Sequence, residues 1–166
     1  MKISKEFDTI VGFAREEAMR TGSYSIEADH LFLGILRHGN NSAVEAMRSS
    51  GIDTAVCKDE IDSFIFHEQG IPYGHEDEIR LGREGSNTVS LAIANAISDG
   101  SEETCAIHLL KAILKQENSR SSEYLRRHGL TRLDSGPRKN TAPNKKEEIA
   151  ILLSTITLNR NKTIVS

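Results

Sequence analysis

Two histidines at equivalent positions are the first residues of this chain with the potential for chemistry. His30 and His108 each lie in a run of apolar residues with helical spacing, 78 positions apart. An imidazole in such a place can bind a metal, act as a general base, or be held by hydrogen bonds inside the protein. Because the two sites share no neighbouring nucleophile, we predict that both histidines are structural residues.

Cys105 precedes His108 by three residues, a spacing that could supply half of a metal site. No second pair at ligand spacing accompanies it, and Cys57 falls in another predicted helix, so we expect no metal. A cysteine–histidine hydrolase would also need an orienting acid and an oxyanion motif, and neither is recognisable. The chain has no G-x-x-x-x-G-K-[ST] loop for the phosphates of ATP. We therefore predict no catalytic residues, no cofactor and no enzymatic activity.

The two histidines belong to an internal repeat. The stretch 28–36 returns as 106–114, and identical pairs in the same register include Ala14/Ala92, Gly22/Gly100, His30/His108 and Gly51/Gly129. Gly51 and Gly129 follow the third helix predicted in each copy, and we assign them a structural role as helix stops. A repeat of this kind predicts one helical unit used twice, each copy covering the apolar face of the other.

Helical periodicity predicts four helices in the first copy. They run through Phe7 to Ala18, Ala28 to Leu36, Ala43 to Met47 and Val56 to Ile65. Asp53 is the predicted cap of the fourth helix, whose inward residues are predicted to be Val56, Ile61, Phe64 and Ile65. The second copy repeats the pattern through Val89 to Ile97, Ala106 to Leu114 and Ser121 to His128. Ser25 and Thr104 are the predicted caps of the second helix in each copy.

The predicted fold is all-α, with two pseudo-twofold-related four-helix repeats. The predicted division is 1–66 for the first repeat, 67–85 for a connector, 86–158 for the second repeat with an inserted loop at 132–143, and 159–166 for a C-terminal tail. Prolines interrupt the second repeat at the inserted loop, because proline lacks the amide donor and restricts the residue before it. The periodic stretch 144–158 is the predicted fourth helix of that repeat.

Composition excludes several classes of protein. The chain has 166 residues, a net charge of −3 and a pI near 6.1, which give no electrostatic case for binding nucleic acid. Two cysteines without a signal peptide argue against a disulfide framework and predict a cytoplasmic protein. No apolar run approaches the ~20 residues that span a bilayer, so we expect no membrane partner.

Three segments of the chain carry a resemblance to a known family. Residues 14–22 read A-x-E-E-A-x-x-x-G, and they are followed by the stretch 30–36 and then by Gly51. This resembles the N-terminal domain of the Clp unfoldases, in which such a helix, an E-H-L-L-L-G-L segment and a glycine closing a third helix are also duplicated. The resemblance covers residues 3–131. It implies a module that binds substrate proteins or an adaptor and has Clp unfoldase or protease components as partners.

The resemblance also implies a ligand site in the first copy. In bacterial Clp domains of this type, an acid before the motif histidine and a hydroxyl near the chain start help to bind phosphorylated arginine. The matching residues here are Asp29 and Ser4, whereas the second copy has Ile107 and Gly82. A carboxylate suits a guanidinium, and a hydroxyl beside helix N-terminal amides suits a phosphate. Asp29 can equally be a first-turn acid that favours the helix dipole.

Other functions stay open at this point. The chain could be the N-terminal part of a larger Clp AAA+ ATPase, because 146–166 faintly resembles the lead-in to an ATPase module. It could also be a self-associating interaction protein whose apolar groove is buried in a dimer. A hydrolase that uses His30 or His108 with Cys105 is the least expected.

Overall fold

The computed structural model describes residues 2–67 and 69–133 of the chain. In this part the first copy forms α1 (Lys5–Thr21), α2 (Ala28–His38), α3 (Ser42–Ser49) and α4 (Thr54–Ile65), and the second forms α5 (Arg83–Ser98), α6 (Ala106–Leu114) and α7 (Arg120–Arg127). The predicted all-α class is confirmed. The predicted helix at 144–158, the tail at 159–166 and most of the predicted loop lie outside the described residues. None of the described helices is both long and apolar enough to cross a membrane.

The third helix of each copy ends at a glycine. Gly51 and Gly129 have φ angles of 82° and 87°, in the left-handed region that side chains disfavour. At each site the amide of the following residue donates to a carbonyl of the last helical turn, at 3.0 and 2.8 Å. These bonds satisfy carbonyls that the helix end would otherwise leave free.

Four strands of two residues each connect the copies. They are β1 (Lys2–Ile3), β2 (Ser25–Ile26), β3 (Arg80–Leu81) and β4 (Glu103–Thr104). β1 pairs with β4 and β2 pairs with β3, both in parallel. A shift of 78 positions converts one pair into the other, which is the signature of a pseudo-twofold exchange between the copies. We call the β1–β4 end the first seam and the β2–β3 end the second seam.

The core lies where the helical hairpins of the two copies meet. α1 packs on α2, α5 packs on α6, and α2 contacts α6 at the centre. Gly34 permits the close approach of α1 to α2, because a Cβ there would lie 2.5 Å from the carbonyl oxygen of Ile10. The largest fully buried side chains are aliphatic or Phe, and they include Leu31, Phe32, Leu33, Leu109, Leu110 and Ile113.

The second copy begins its first helix earlier than the sequence predicts. α5 starts at Arg83, so Gly85, taken as the end of the connector, lies inside the helix and is buried. A Cβ on Gly85 would lie 1.9 Å from the carbonyl oxygen of Ile26. This glycine therefore marks a close contact between α5 and β2 rather than a loop.

The inward face of α4 also differs from the prediction. Cys57 and Ile61 are fully buried, whereas Val56 and Phe64 are 56% and 55% exposed. Cys57, Ile61 and Ile65 are spaced four residues apart and form the stripe that faces the core, so Val56 and Phe64 lie to one side of it. The prediction that these two residues face inward was wrong, and Phe64 is available at the surface.

Candidate functional site

Each repeat places a buried histidine at the start of its second helix. His30 and His108 are 6% and 4% exposed. The Nδ1 atom of His30 accepts the amide proton of Glu27, and Nδ1 of His108 accepts that of Cys105, both at 2.9 Å. These amides stand at the helix starts, where the backbone leaves donors without helical partners. The predicted caps Ser25 and Thr104 lie instead in β2 and β4, and the N-cap positions belong to Glu27 and Cys105.

The environment of both histidines favours the neutral imidazole. Burial lowers the pKa of His30 and of His108, and nearby carboxylates only partly oppose it. The Nε2 atom of His108 lies 3.2 Å from the hydroxyl of Ser101 and 3.6 Å from the carboxylate of Asp99. A neutral ring with Nδ1 bound to a backbone amide is suited to holding a helix start.

The thiol of Cys105 does not form a nucleophile–base pair with the neighbouring histidine. His108 contacts the backbone amide of Cys105, while the thiol lies 3.8 Å from the carbonyl oxygen of Glu103 and within hydrogen-bonding reach of the Ser4 hydroxyl. Burial raises the pKa of this thiol, which disfavours the reactive thiolate. Across residues 2–67 and 69–133, no group of three or more His, Cys, Asp or Glu side chains is placed to hold a metal ion.

Asp29 binds the second repeat. Its Oδ1 accepts hydrogen bonds from the amide and the hydroxyl of Ser121, at 2.8 and 2.6 Å. Its Oδ2 accepts one from the amide of Arg120 at 3.2 Å. Arg120 and Ser121 form the first turn of α7, so this carboxylate of the first repeat caps a helix of the second.

Ser4 lies at the other end of the first repeat. Its hydroxyl caps α1 by accepting the amide proton of Phe7 at 3.0 Å, and its amide donates to the carbonyl of Thr104. α1 has 17 residues and is therefore about 25 Å long. The start of α2 lies near the far end of this helix, since His30 is close to Glu17. The structure therefore does not bring Ser4 and Asp29 into one pocket.

The parallel strand pairs place each end of the first repeat next to a different part of the second repeat. Each pair joins the start of one repeat to the entry of the second helix in the other repeat. Ser4 thus meets Cys105 at the first seam, and Gly82 is bonded to Ile26 next to α2 at the second seam. An alignment of the two copies shows which positions are equivalent. It does not show which residues of one repeat contact the other repeat.

The second seam adjoins a cleft of about 280 Å³. Its lining residues come from the first repeat, and they are Ser23, Glu27, Asp29, His30, Phe64, Ile65 and His67. Five of these residues are polar, and Phe64 and Ile65 at the end of α4 form the apolar wall. Most pockets that bind ligands combine apolar walls with a few placed polar groups. A larger depression of about 400 Å³ beside the α3–α4 turn is more open to solvent and is lined by only five residues.

Arg120 of the second repeat contacts two residues that line this cleft, Asp29 and Phe64, and we call its position the rim. Its guanidinium carbon lies 4.6 Å from the centre of the Phe64 ring, within the range of a cation–π contact. A second contact between the same helices joins Arg127 to the carboxylate of Glu60. The sequence pattern did not mark Phe64 and Arg120 as site residues, because an apolar stripe does not distinguish a rim position from a core position.

Comparison with known proteins gives a consistent family signal. The family profile of the Clp repeat (R) N-terminal domain matches residues 2–128. The chain is 21% identical over 130 residues to the chaperone protein ClpB of Oceanobacillus iheyensis, and the match covers 78% of this chain and 16% of that protein. It is likewise 21% identical over 130 residues to the negative regulator of genetic competence ClpC/MecB of Bacillus subtilis, with coverage of 78% and 16%.

A third relative and two solved structures extend this picture. A probable ATP-dependent Clp protease ATP-binding subunit of Chlamydia pneumoniae is 25% identical over 132 residues, with coverage of 75% of this chain and 14% of that protein. The chain thus spans about one sixth of the length of these relatives. The N-terminal domain of ClpD from Arabidopsis thaliana has a TM-score of 0.59 at 13% identity and covers 93% and 94% of the two chains. A structure from investigations of a malarial protein secretion system has a TM-score of 0.63 at 17% identity, with coverage of 95% and 98%.

Proposed function

Because the chain belongs to the Clp repeat N-terminal domain family, we propose that it is a non-catalytic module that binds substrate proteins or an adaptor for Clp unfoldase or protease components. The observation that carries this proposal is the cleft beside α2 and α4, which combines the exposed aromatic ring of Phe64 with polar groups that include the buried His30. Binding at this site would raise the local concentration of a substrate near its unfoldase.

Several features of the cleft suit a protein ligand. Phe64 stands 55% exposed at its edge, and Phe66 next to the cleft is 52% exposed. Exposed aromatic residues grouped in this way are frequent in protein-binding surfaces. Burial lowers the pKa of His30 and raises that of the Cys105 thiol, and neither shift favours an activated nucleophile, which supports a binding role over a hydrolytic one.

The place of the module in a larger assembly is part of the proposal. The match covers only 16% of each of these relatives, so the chain fits either a stand-alone adaptor or the N-terminal part of a Clp AAA+ ATPase. We place it in the cytoplasm, a location that its two free cysteines support.

Phosphoarginine remains a predicted ligand. Asp29 lines the cleft, which supports the prediction, but its carboxylate already accepts three hydrogen bonds, and Ser4 lies at the other seam. Calorimetric titration of phosphoarginine into the chain tests it directly. Saturable heat would support the ligand, and no heat at millimolar concentration would exclude it.

The binding function is tested with an unfolded protein as the probe. Fluorescein-labelled casein should bind the chain with a rise in fluorescence anisotropy, and Phe64→Ala should weaken the affinity about tenfold through loss of the aromatic wall. Tyr73→Ala is the matched control, because Tyr73 is also an exposed aromatic residue, 91% accessible, but does not line the cleft. It should leave the affinity unchanged.

Two outcomes would count against this function. If the native chain binds no casein and light scattering shows a dimer, the cleft surface serves self-association. If Phe64→Ala and Tyr73→Ala weaken binding equally, the cleft is not the binding site. His30→Ala tests the hydrolase alternative. We expect this substitution to lower the stability of the fold, as for a structural histidine. A catalytic histidine would instead leave the fold intact and abolish turnover.

A further inference from the structure

Asp29 is the carboxylate that ties the cleft to the second repeat. Both of its oxygens accept hydrogen bonds from the first turn of α7, from Arg120 and from Ser121. Three accepted bonds of 2.6 to 3.2 Å use most of the directions in which a carboxylate can accept. The negative charge is therefore directed at the start of a helix, where amide groups and the helix dipole both favour it.

This contact completes the cap of α7. Ser119 of the same repeat caps the helix by accepting the amide proton of Ser122 at 3.0 Å. The amides of Arg120 and Ser121, which lie between Ser119 and Ser122 in the sequence, donate to Asp29. A short helix of eight residues depends strongly on such bonds, because little of its stability comes from its own length.

The position of α7 in turn sets the rim of the cleft. Arg120 is the first residue of α7, and its guanidinium lies over the ring of Phe64. Phe64 lines the cleft together with Asp29. Arg120 thus links Asp29 to Phe64, through a hydrogen bond from its backbone amide to Asp29 and a cation–π contact of its guanidinium with Phe64.

The first seam lacks this set of contacts. Ile107 occupies the position that corresponds to Asp29, and here the direction of the bond is reversed: the amide of Ile107 donates to the hydroxyl of Ser42 at 3.1 Å. Ser42 begins α3, the helix that corresponds to α7. The carboxylate link is therefore specific to the seam that has the cleft.

We infer that Asp29 is a positioning residue for the cleft, acting through α7 and Arg120 on Phe64 and not through contact of its charge with a ligand. The inference rests on the proposed use of the cleft for binding, and it deepens that proposal by naming what controls the shape of the site. Asp29 could either position α7 or contact a ligand with its charge, and two different substitutions of Asp29 distinguish these roles.

The experiment compares Asp29→Asn with Asp29→Ala. Asparagine keeps an oxygen that can accept the two bonds from Ser121 but has no charge, whereas alanine keeps neither. Asp8→Ala is the control, because Asp8 is an exposed first-turn acid of α1. Casein affinity is measured by anisotropy, and the amides of Arg120 and Ser121 and the ring of Phe64 are followed by NMR and hydrogen exchange in the same samples.

The expected pattern has three parts. Asp29→Ala weakens casein binding about tenfold, speeds exchange of the Ser121 amide about tenfold, and shifts the Phe64 ring signals. Asp29→Asn stays within about threefold of the native affinity and leaves the Phe64 signals near their native positions. Asp8→Ala changes none of these quantities.

Loss of casein binding in Asp29→Asn with unchanged α7 and Phe64 signals would overturn the inference, because the charge itself would then be needed. Unchanged Phe64 signals in Asp29→Ala would overturn it as well. The two proposals fail separately: a native chain that does not bind casein refutes the binding function, while the NMR comparison still decides whether Asp29 positions α7 and Phe64.

Discussion

The two seams have the same backbone frame and different side chains. At the first seam the carboxylate of Glu6 accepts the amide proton of Ala106, which begins α6, at 3.0 Å. At the second seam Glu84 accepts the amide proton of Ala28, which begins α2, at 3.1 Å. Each repeat thus caps the central helix of the other, and the two caps exchange under the same shift of 78 positions.

The seams differ at the residue that precedes each central helix. Cys105 stands at the first seam and Glu27 at the second. Burial and the nearby charge of Glu84 raise the pKa of the Glu27 carboxyl, while hydrogen bonds from the amides of Gly85 and Glu84 oppose this shift. Within the described residues, the Oε1 atom of Glu27 is buried without a hydrogen-bond partner.

Some residues that hold the fold are the same at both seams, and other residues differ between the seams. The capping glutamates and histidines recur at both seams and stabilise the pairing of the repeats. The acids Glu27 and Asp29 occur only at the second seam, beside the cleft. The same frame thus occurs twice, and the second seam differs by carrying Glu27 and Asp29 beside the proposed binding cleft.

The largest expected effect tests how closely the second seam is packed. Gly85→Ala should lower the free energy of unfolding by about 3 kcal/mol, because the new Cβ would overlap the carbonyl oxygen of Ile26. The equivalent position in the first repeat is Phe7, which has room for a full side chain. Urea denaturation followed by circular dichroism measures the change.

Gly12→Ala is the matched control for this prediction. Gly12 also lies inside a helix, but no atom lies within 4 Å of a Cβ placed there. This substitution should raise stability by about 0.5 to 1 kcal/mol, since alanine favours the helix. Equal effects at Gly12 and Gly85 would show that the second seam is not tightly packed.

The second-largest expected effect is the loss of stability when either of the two capping histidines is replaced. His30→Ala and His108→Ala should each lower the free energy of unfolding by about 2 kcal/mol, because a buried backbone amide loses its acceptor. The corresponding asparagine variants should lose less, since the asparagine oxygen can accept the same amide proton. A large loss at only one seam would contradict the equivalence of the two caps.

The same histidines predict a dependence of stability on pH. Both pKa values lie below 6.5 in the folded protein, so the unfolded chain takes up protons first as the pH falls. The stabilising contribution is therefore present above pH 6.5 and is lost as the pH falls through the folded pKa values. A double His30→Asn, His108→Asn variant should lose stability less steeply between pH 7 and pH 5, measured as urea midpoints. An unchanged slope would assign the acid sensitivity to other groups.

The sequence allowed much of this fold to be predicted for physical reasons. A helix buries one stripe of residues at a fixed spacing, so the apolar pattern located all seven described helices. Asp53 has a short polar side chain that accepts amide protons at a helix start, and it caps the helix for which it was predicted. Gly51 and Gly129 were predicted as helix stops because glycine adopts left-handed φ angles without strain, and both have such angles.

The crosswise pairing of the repeats could not be predicted in the same way. A strand of two residues has no alternation that a sequence pattern can detect, and the bonds of Asp29 join residues 91 and 92 positions apart. Ser4 and Asp29 are far apart for a simpler reason, because Ser4 precedes α1 and Asp29 follows it, an order that the predicted helices already contained. The exposure of Phe64 depends on how α4 is rotated against α7, which is set by tertiary contacts.

The smallest expected effect concerns the acid that only the second seam carries. The pKa of Glu27 is raised above 4.5 in the folded protein, so the unfolded chain releases its proton more readily as the pH rises. The stability linked to this group is therefore present below pH 4.5 and is lost as the pH rises through the folded pKa. Glu27→Gln keeps an oxygen for the α5 amides without the charge, and it should raise the Tm at pH 7 by about 1 to 3 °C. Differential scanning calorimetry at pH 4 and pH 7 measures this gain, which should shrink at the lower pH. A lower Tm for Glu27→Gln at pH 7 would show that the charge of Glu27 stabilises the start of α5 by more than its burial costs. The second seam would then differ from the first by a favourable helix cap.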